Sequence, residues 1–414
     1  MKNSGIEWIG EIPNDWKIER LQWYLTEIKE SNNPIQTDQV LSLTNKRGVI
    51  PYEEKGAQGN NAKENHADYK LAYPHTLVLN SMNVLIGSVG ICDYFGCVSP
   101  VYYVFKPNKS ANLEFINYIF QTEQFQKELR RYANGIMEIR LRLSSADILK
   151  RYIGLPLANI QSKIVDHLNK KCSQIDALIL NQERQIEKLK QYKQSLITEV
   201  VTKGLDPTVP LKDSGVEWIG KIPETFEIRR GKAVLKLLDR PVCEDDEVIT
   251  CFRNGEVTLR KNRREEGFTF SEKECGYQGI NIGDLVVHGM DGFAGAIGIS
   301  DSRGKGSPIL IVCDSSENKK YLVYYLRTLA YREIFLALST GIRVRSCDLR
   351  WNKLAILPFV IPKEEIQREI VSFLDSKCAG IDKIIVHKQS KIEKLNQYKK
   401  SLIYEYVTGK KEVV

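Results

Sequence analysis

Two stretches of the chain carry a helical repeat of apolar positions, and they carry the same one. In the first, Ile175, Ile179, Ile186, Leu189, Leu196 and Val200 fall at alternating steps of four and three once polar Gln182 and Lys193 take their slots. In the second, Ile381, Ile385, Ile392, Leu395, Leu402 and Tyr406 repeat the series at an offset of 206 (381 against 175), with Lys388 and Lys399 in the same polar slots. This spacing lays one apolar stripe along one helix face and predicts a coiled coil. Stripes that match down to their polar interruptions predict that the two helices face each other. Polar members cost stability but fix register, which suits a spacer of defined length. From Ile175 to Val200 the predicted helix is on the order of 38 Å long.

A shorter helix is predicted ahead of each stripe, over Ile160 to Leu168 after Pro156 and over Glu365 to Leu374 after Pro362. Proline just before a helical run marks its start. Gly204-Leu205-Asp206-Pro207 reads as a helix stop and linker. Upstream of the first stripe, Gln39 to Thr44, Leu77 to Asn80 and Val101 to Phe105 have strand composition, and Leu113 to Arg131 reads as helix. The second half offers the same order: strand-like Glu247 to Phe252, Asp284 to Val287 and Ile309 to Val312, then helix-like Lys320 to Ala337.

The chain is a tandem duplication. Its opening Ser4-Gly5-Ile6-Glu7-Trp8-Ile9-Gly10-Glu11-Ile12-Pro13 returns as Ser214-Gly215-Val216-Glu217-Trp218-Ile219-Gly220-Lys221-Ile222-Pro223, an offset of 210 (214 against 4). Between the matched ends, residues 20–155 and 230–360 share few words. A period of this length exceeds the roughly 20 to 50 residues of a solenoid repeat and fits a duplicated domain with its connector. The predicted architecture is α/β (α+β): two similar modules, residues 1–155 and 207–361, joined by two long antiparallel helices within 156–206 and 362–414, with an internal pseudo-twofold duplication. The repeated opening then anchors each module to the helical frame, and Trp8 and Trp218 are expected to pack.

Composition narrows the class. No apolar run approaches the roughly 20 residues of a membrane span, and Met1-Lys2-Asn3-Ser4 leads into no secretory signal; the expectation is a cytoplasmic protein without membrane contact. Nine scattered cysteines without a C-x-x-C pair read as reduced thiols. Asn32-Asn33-Pro34-Ile35 lacks the second proline and aromatic of an adenine-methyltransferase loop, and Gly298 to Gly306 fails the spacing and the Ser/Thr of a P-loop. Glu53-Glu54-Lys55 would need a converging aspartate to serve a nuclease, and the five histidines show no paired spacing. The chain alone is expected to hold no catalytic residue, cofactor or metal.

The net charge of +8 permits nucleic-acid binding without demanding it. Basic residues cluster at matching points of the modules. Asn45, Lys46 and Arg47 follow one strand, and Arg253, Asn254, Arg260, Arg263 and Arg264 follow its counterpart. Arg140 and Arg142 near the first module's end match Arg343 and Arg345 near the second's. Alternation on a strand puts each arginine pair on one face. Arginine and asparagine contact phosphates and can bridge base edges, whereas a solvated or salt-bridged surface is the plainer account. The predicted helix length is also close to the roughly 34 to 36 Å of one DNA turn.

In its opening Gly5 to Trp16 and second copy, Pro362 to Gln367 leading into Ile370-Val371, the Ile175-Asp176 and Ile381-Asp382 helices, and Ser401-Leu402-Ile403 through Val407-Thr408-Gly409, the sequence resembles the DNA-specificity subunits of type I restriction-modification systems. The resemblance covers essentially the whole chain. It implies two target-recognition domains, each reading half of a bipartite site on double-stranded DNA, with paired helices setting the unread gap. It also implies two modification subunits, which bind S-adenosylmethionine and methylate adenine, and restriction subunits that translocate and cut DNA with ATP and Mg. Thr225-Phe226 stands where Asp15-Trp16 would repeat, so individual base contacts do not carry over. A methylation-only system would use the same module, and a coiled-coil adaptor without a DNA role shares the heptads and the duplication.

Overall fold

A computed structural model of the chain describes residues 1–44, 47–55, 65–108, 112–133, 141–263, 275–338 and 349–413. The chain divides into two compact units, Met1–Glu183 with Gln389–Val414, and Arg184–Lys388.

In the first unit, strands β1 (Leu25–Ile28), β2 (Leu41–Thr44), β3 (Gly48–Pro51), β4 (Thr76–Asn80), β5 (Val89–Cys92) and β6 (Tyr102–Pro107) precede helices α1 (Leu113–Phe120) and α2 (Glu123–Arg130). An antiparallel sheet runs β1-β6-β4-β5, and β2 and β3 form a separate hairpin. The central strand β4 is buried along its whole length. Its side chains alternate between two cores: Leu77 and Leu79 meet Phe115 and Ile119 of α1, while Val78 joins Leu41 and Val49 of the hairpin. Helices thus cover one face of the sheet and the hairpin the other. The run Leu113 to Arg131, which reads as a single helix, is two, because the Thr122 side chain accepts from the Phe125 amide and caps a new start.

Helix α3 (Ala158–Lys203) follows. The second unit then repeats the first with β7 (Lys236–Leu237), β8 (Ile249–Cys251), β9 (Val257–Leu259), β10 (Leu285–His288), β11 (Ile297–Ile299), β12 (Leu310–Asp314) and helix α4 (Lys319–Tyr331). Its sheet runs β7-β12-β10-β11, the same order, with β8 and β9 as the hairpin. Leu285 and Val287 face the helical core and Val286 the hairpin core. The helix expected over Lys320 to Ala337 is likewise broken, at Glu333, whose φ is 60°. Helix α5 (Glu364–Val407) ends the chain's regular structure.

The short helices expected after Pro156 and Pro362 are not separate. They are continuous with the heptad segments in elements of 46 and 44 residues, since Cys172 and Cys378 extend the buried stripe from Leu168 to Ile175 and from Leu374 to Ile381. The two helices are antiparallel where they meet in each unit. In the first unit Asp176 takes Lys399 at 2.7 Å and the His167 ring lies 4.6 Å from that of Tyr406. In the second, Lys193 reaches Asp382 at 2.6 Å and Lys388 donates to Gln185. The two ion pairs are one pair written twice, 382 against 176 and 399 against 193, each at the duplication offset of 206. Polar seam positions therefore hold cross-helix contacts.

The repeated opening forms the same small loop in both copies. Gly5, Gly10, Gly215 and Gly220 have φ between 70° and 73°, and the Ser4 and Ser214 amides donate to the Gly10 and Gly220 carbonyls. Trp8 is buried, 4.9 Å from the Phe125 ring, and the carbonyls of Trp8 and Ile9 accept from Tyr404 and Lys410 beside the end of α5. Trp218 is partly buried against the second core. Phe226 replaces Trp16 in kind: Trp16 packs on Gly409 and Phe226 on Gly204, the glycines just past the two helix ends.

Candidate nucleic-acid interface

A hairpin turn gathers part of the second module's basic cluster. In the second module the turn closes with the Gly255 amide donating to the Phe252 carbonyl at 2.8 Å. Only glycine fits at 255: φ is 91°, and a Cβ would lie 2.2 Å from a terminal nitrogen of Arg327. Arg327, on α4, donates to the Asn254 carbonyl at 2.7 Å and to the Tyr331 hydroxyl at 2.6 Å, bracing the turn from below. Arg263 stacks 4.2 Å from the Phe252 ring centre and donates to the Asn254 side chain at 3.0 Å and to Glu256 at 3.2 Å. Arg253 pairs with Asp291 at 2.8 Å while its side chain stays 64% exposed.

Three of the candidates, Arg253, Asn254 and Arg263, therefore meet on one turn. Arg260 does not join them; it sits past β9, where its Nε donates to the Thr250 hydroxyl at 3.5 Å. In the first module the Thr44 hydroxyl donates to the Gly48 carbonyl and accepts from the Arg47 amide, and the Arg47 side chain pairs with Glu54. Arg142 is exposed, and the next amide, Leu143, donates to Ser81 at the end of β4. Asn45, Lys46, Arg140, Arg264, Arg343 and Arg345 lie outside the described residues. Arg47, Arg253 and Arg263 all have carboxylate partners, as a salt-bridged surface would; exposed pairs of this kind contribute about 0 to 1 kcal/mol each.

Sequence reasoning missed Arg327, which lies among apolar helix residues, and Asp291 and His288, which share a turn. The His288 Nδ1 accepts from the Met290 and Asp291 amides, and burial lowers its pKa. On the hairpin's own strand β8, burial pushes the Cys251 thiol up to about 12. Among the described residues eight cysteines are free, and no group of three or more His, Cys, Asp or Glu is placed to hold a metal.

Each turn also walls a cleft against the helix pair of its own unit. In the second unit the cleft is about 730 Å³, with Asn254 and Gly255 on one side and Arg327, Lys193 and Asp382 on the others. In the first it is about 890 Å³, with Gly48, Gln121, Lys399 and Asp176 in the matching places.

Two like modules, each mounted on a segment of an antiparallel helix pair, define the fold of a type I restriction-modification specificity subunit. A chain of a type I restriction-modification system, known from work on that system's complex assembly and conformational transition, matches with a TM-score of 0.72 at 12% identity, over 96% of this chain and 98% of that one. The HsdS subunit from Thermoanaerobacter tengcongensis matches with a TM-score of 0.51, also at 12% identity, over 99% and 100%. No protein-family model matches the sequence. At this identity the likeness is one of fold.

Proposed function

We propose that the chain is the DNA-specificity subunit of a type I restriction-modification complex. Residues 1–155 and 207–361 each read one half of a bipartite site, and the helical regions 156–206 and 362–414 set the gap between the halves. The observation that carries this reading is the duplicated hairpin, basic by sequence in both copies and packed on the matching edge strand of each module's own sheet. Adenine methylation with S-adenosylmethionine, and ATP- and Mg-dependent translocation and cutting, fall to partner subunits in the cytoplasm. No helix among the described residues is long and apolar enough to cross a membrane.

Duplication also supports two copies of the modification partner. Exposed apolar residues recur on the helices at the 206 offset: Leu178 and Ile384, Leu180 and Val386, Tyr192 and Tyr398 are all at least 46% exposed. A surface kept apolar at matching points of both copies suits a partner that binds twice.

Methylation sequencing of a host carrying the chain with its modification partner tests the reading. The expected result is one two-part motif with an unread gap, together with purified-complex binding that weakens steeply as salt rises. An undivided motif, or affinity for duplex DNA indifferent to salt, would overturn it.

A further inference from the structure

The junction at the end of the central strand has the same backbone plan in both modules but different side chains on it. In the first, β4 ends at Asn80, whose Oδ1 accepts from the amides of Met82 at 3.0 Å and Asn83 at 3.4 Å. In the second, β10 ends at His288, whose Nδ1 accepts from the amides of Met290 at 3.3 Å and Asp291 at 3.0 Å. The backbone around them corresponds bond for bond. The Asn80 and His288 amides donate to Ser88 and Ala296, those of Ser81 and Gly289 to Val101 and Ile309, and the Ser81 and Gly289 carbonyls accept from Leu143 and Leu349. An amide oxygen accepts at any ordinary pH. An imidazole nitrogen accepts only while the ring is neutral.

The second junction also carries a load that the first lacks. Asp291 takes Arg253 of the hairpin turn at 2.8 Å, whereas Asn83, its counterpart, has no charge to offer. Burial is the main influence on the imidazole and disfavours its charged form; Asp291 favours that form and Arg253 opposes it. The neighbours across the sheet, Leu310 and Ala296, are apolar, and the nearby Cys251 thiol on β8 stays protonated through the neutral range.

We propose that His288 is a positioning residue for the second module's reading turn: neutral, it holds Asp291 where Asp291 clamps Arg253, and protonated, it releases both. The proposal rests on the DNA-reading function above. The sign is fixed by linkage. The released turn takes a proton more readily than the held one, so the held form loses up to about tenfold in weight per pH unit as the pH falls below about 6.5, until the held imidazole itself is protonated. Acid then weakens the second half-site and leaves the first alone. Protonating histidines without such a device adds positive charge and strengthens phosphate binding, so the expected sign runs against the general trend.

The four methionines are Met1, Met82, Met137 and Met290, so ¹⁵N-methionine labelling of the full chain reports the junction and its internal control together. Between about pH 8 and about pH 5, the Met290 amide signal is expected to titrate and the Met82 signal to stay still. In His288→Asn, which copies the first module's own solution, both should stay still. Affinity for the methylated motif's unmodified duplex should fall with the Met290 midpoint in the natural chain. In His288→Asn it should hold or rise as the pH falls, following the general trend, and near neutrality it should lie within about twofold of the natural value. A Met290 signal that does not move, or moves equally in His288→Asn, overturns the proposal. So does a DNA-binding pH profile that the two proteins share. A chain that binds no duplex at any pH would overturn the specificity-subunit reading instead, and the Met290 titration would still decide whether His288 holds the turn.

Discussion

Gly298 has no room for a side chain, since a Cβ there would lie 1.9 Å from the Gly255 carbonyl oxygen; at the matching place in the first module, a Cβ on Gly90 would lie 2.9 Å from the Gly48 Cα. Each glycine lets a hairpin turn sit directly on the edge strand of its sheet. Gly298→Ala is expected to push the second turn off β11 at a cost of about 1 to 3 kcal/mol, the usual range for overpacking, and, on the specificity reading, to weaken the second half-site while sparing the first. Urea unfolding of the natural and mutant chains measures the first effect, and a loss below about 0.5 kcal/mol would mean that the turn yields freely. In the sequence, Gly298 stands only in a stretch that resembles and fails a phosphate-binding loop. Its reason lies in a contact with Gly255, and no local pattern reports such a contact. Arg327 and His288 were hidden in the same way: one reads as part of a helix and the other as a strand end, and their roles exist only after the hairpin folds over them. Trp8 was legible because its repeated apolar neighbours already implied packing.

The long helices were the most legible elements, because a periodic stripe is local information. Even their partner could be read, since matched polar interruptions imply matched neighbours. Their extent could not, for the links from Leu168 to Ile175 and from Leu374 to Ile381 rely on Cys172 and Cys378, residues with no helical signal of their own. The ion pairs at the seam are half-exposed, with Lys399 and Asp176 side chains at 26% and 56% and Lys193 and Asp382 at 27% and 54%. Lys193→Ala and Lys399→Ala are therefore expected to cost under about 1 kcal/mol each, read by thermal unfolding; a much larger loss would make the pairs structural keystones rather than register marks. A stronger test of the spacer uses both helices together, because lengthening one alone would slide these pairs out of register. Adding seven residues between 183 and 184 and again between 388 and 389 keeps the stripe on its face and adds about 10 Å. On the specificity reading, the unread gap grows by about three base pairs at 3.4 Å each, and an unchanged gap in the methylation motif would remove the helices from the role of ruler.

At the scale of the molecule, the duplication separates what varies from what is held. In the first module, Lys17–Arg20 pairs with Tyr152–Leu155, and Trp8, Ile9 and Trp16 pack beside the end of α5. Glu227–Arg230 and Pro358–Ile361 form the same pair in the second module. These paired strands close each module at its base, and between them the frame is met chiefly by the module's helices, through Phe125 on Trp8, Glu123 with Lys400, and Lys320 and Tyr324 with Asp375. The sequence marked this division by where its two copies stop matching; on the specificity reading, the bases each module would read depend on side-chain placement, which composition does not encode. Exchanging residues 25–150, which lie wholly inside the closing pair, for the corresponding stretch of another specificity subunit tests the division. If each module reads alone, the methylation motif changes in one half, the other half keeps its bases, and the gap keeps its length. A motif altered in both halves would mean that the modules read the site jointly, and the independent-reader account would fall with it.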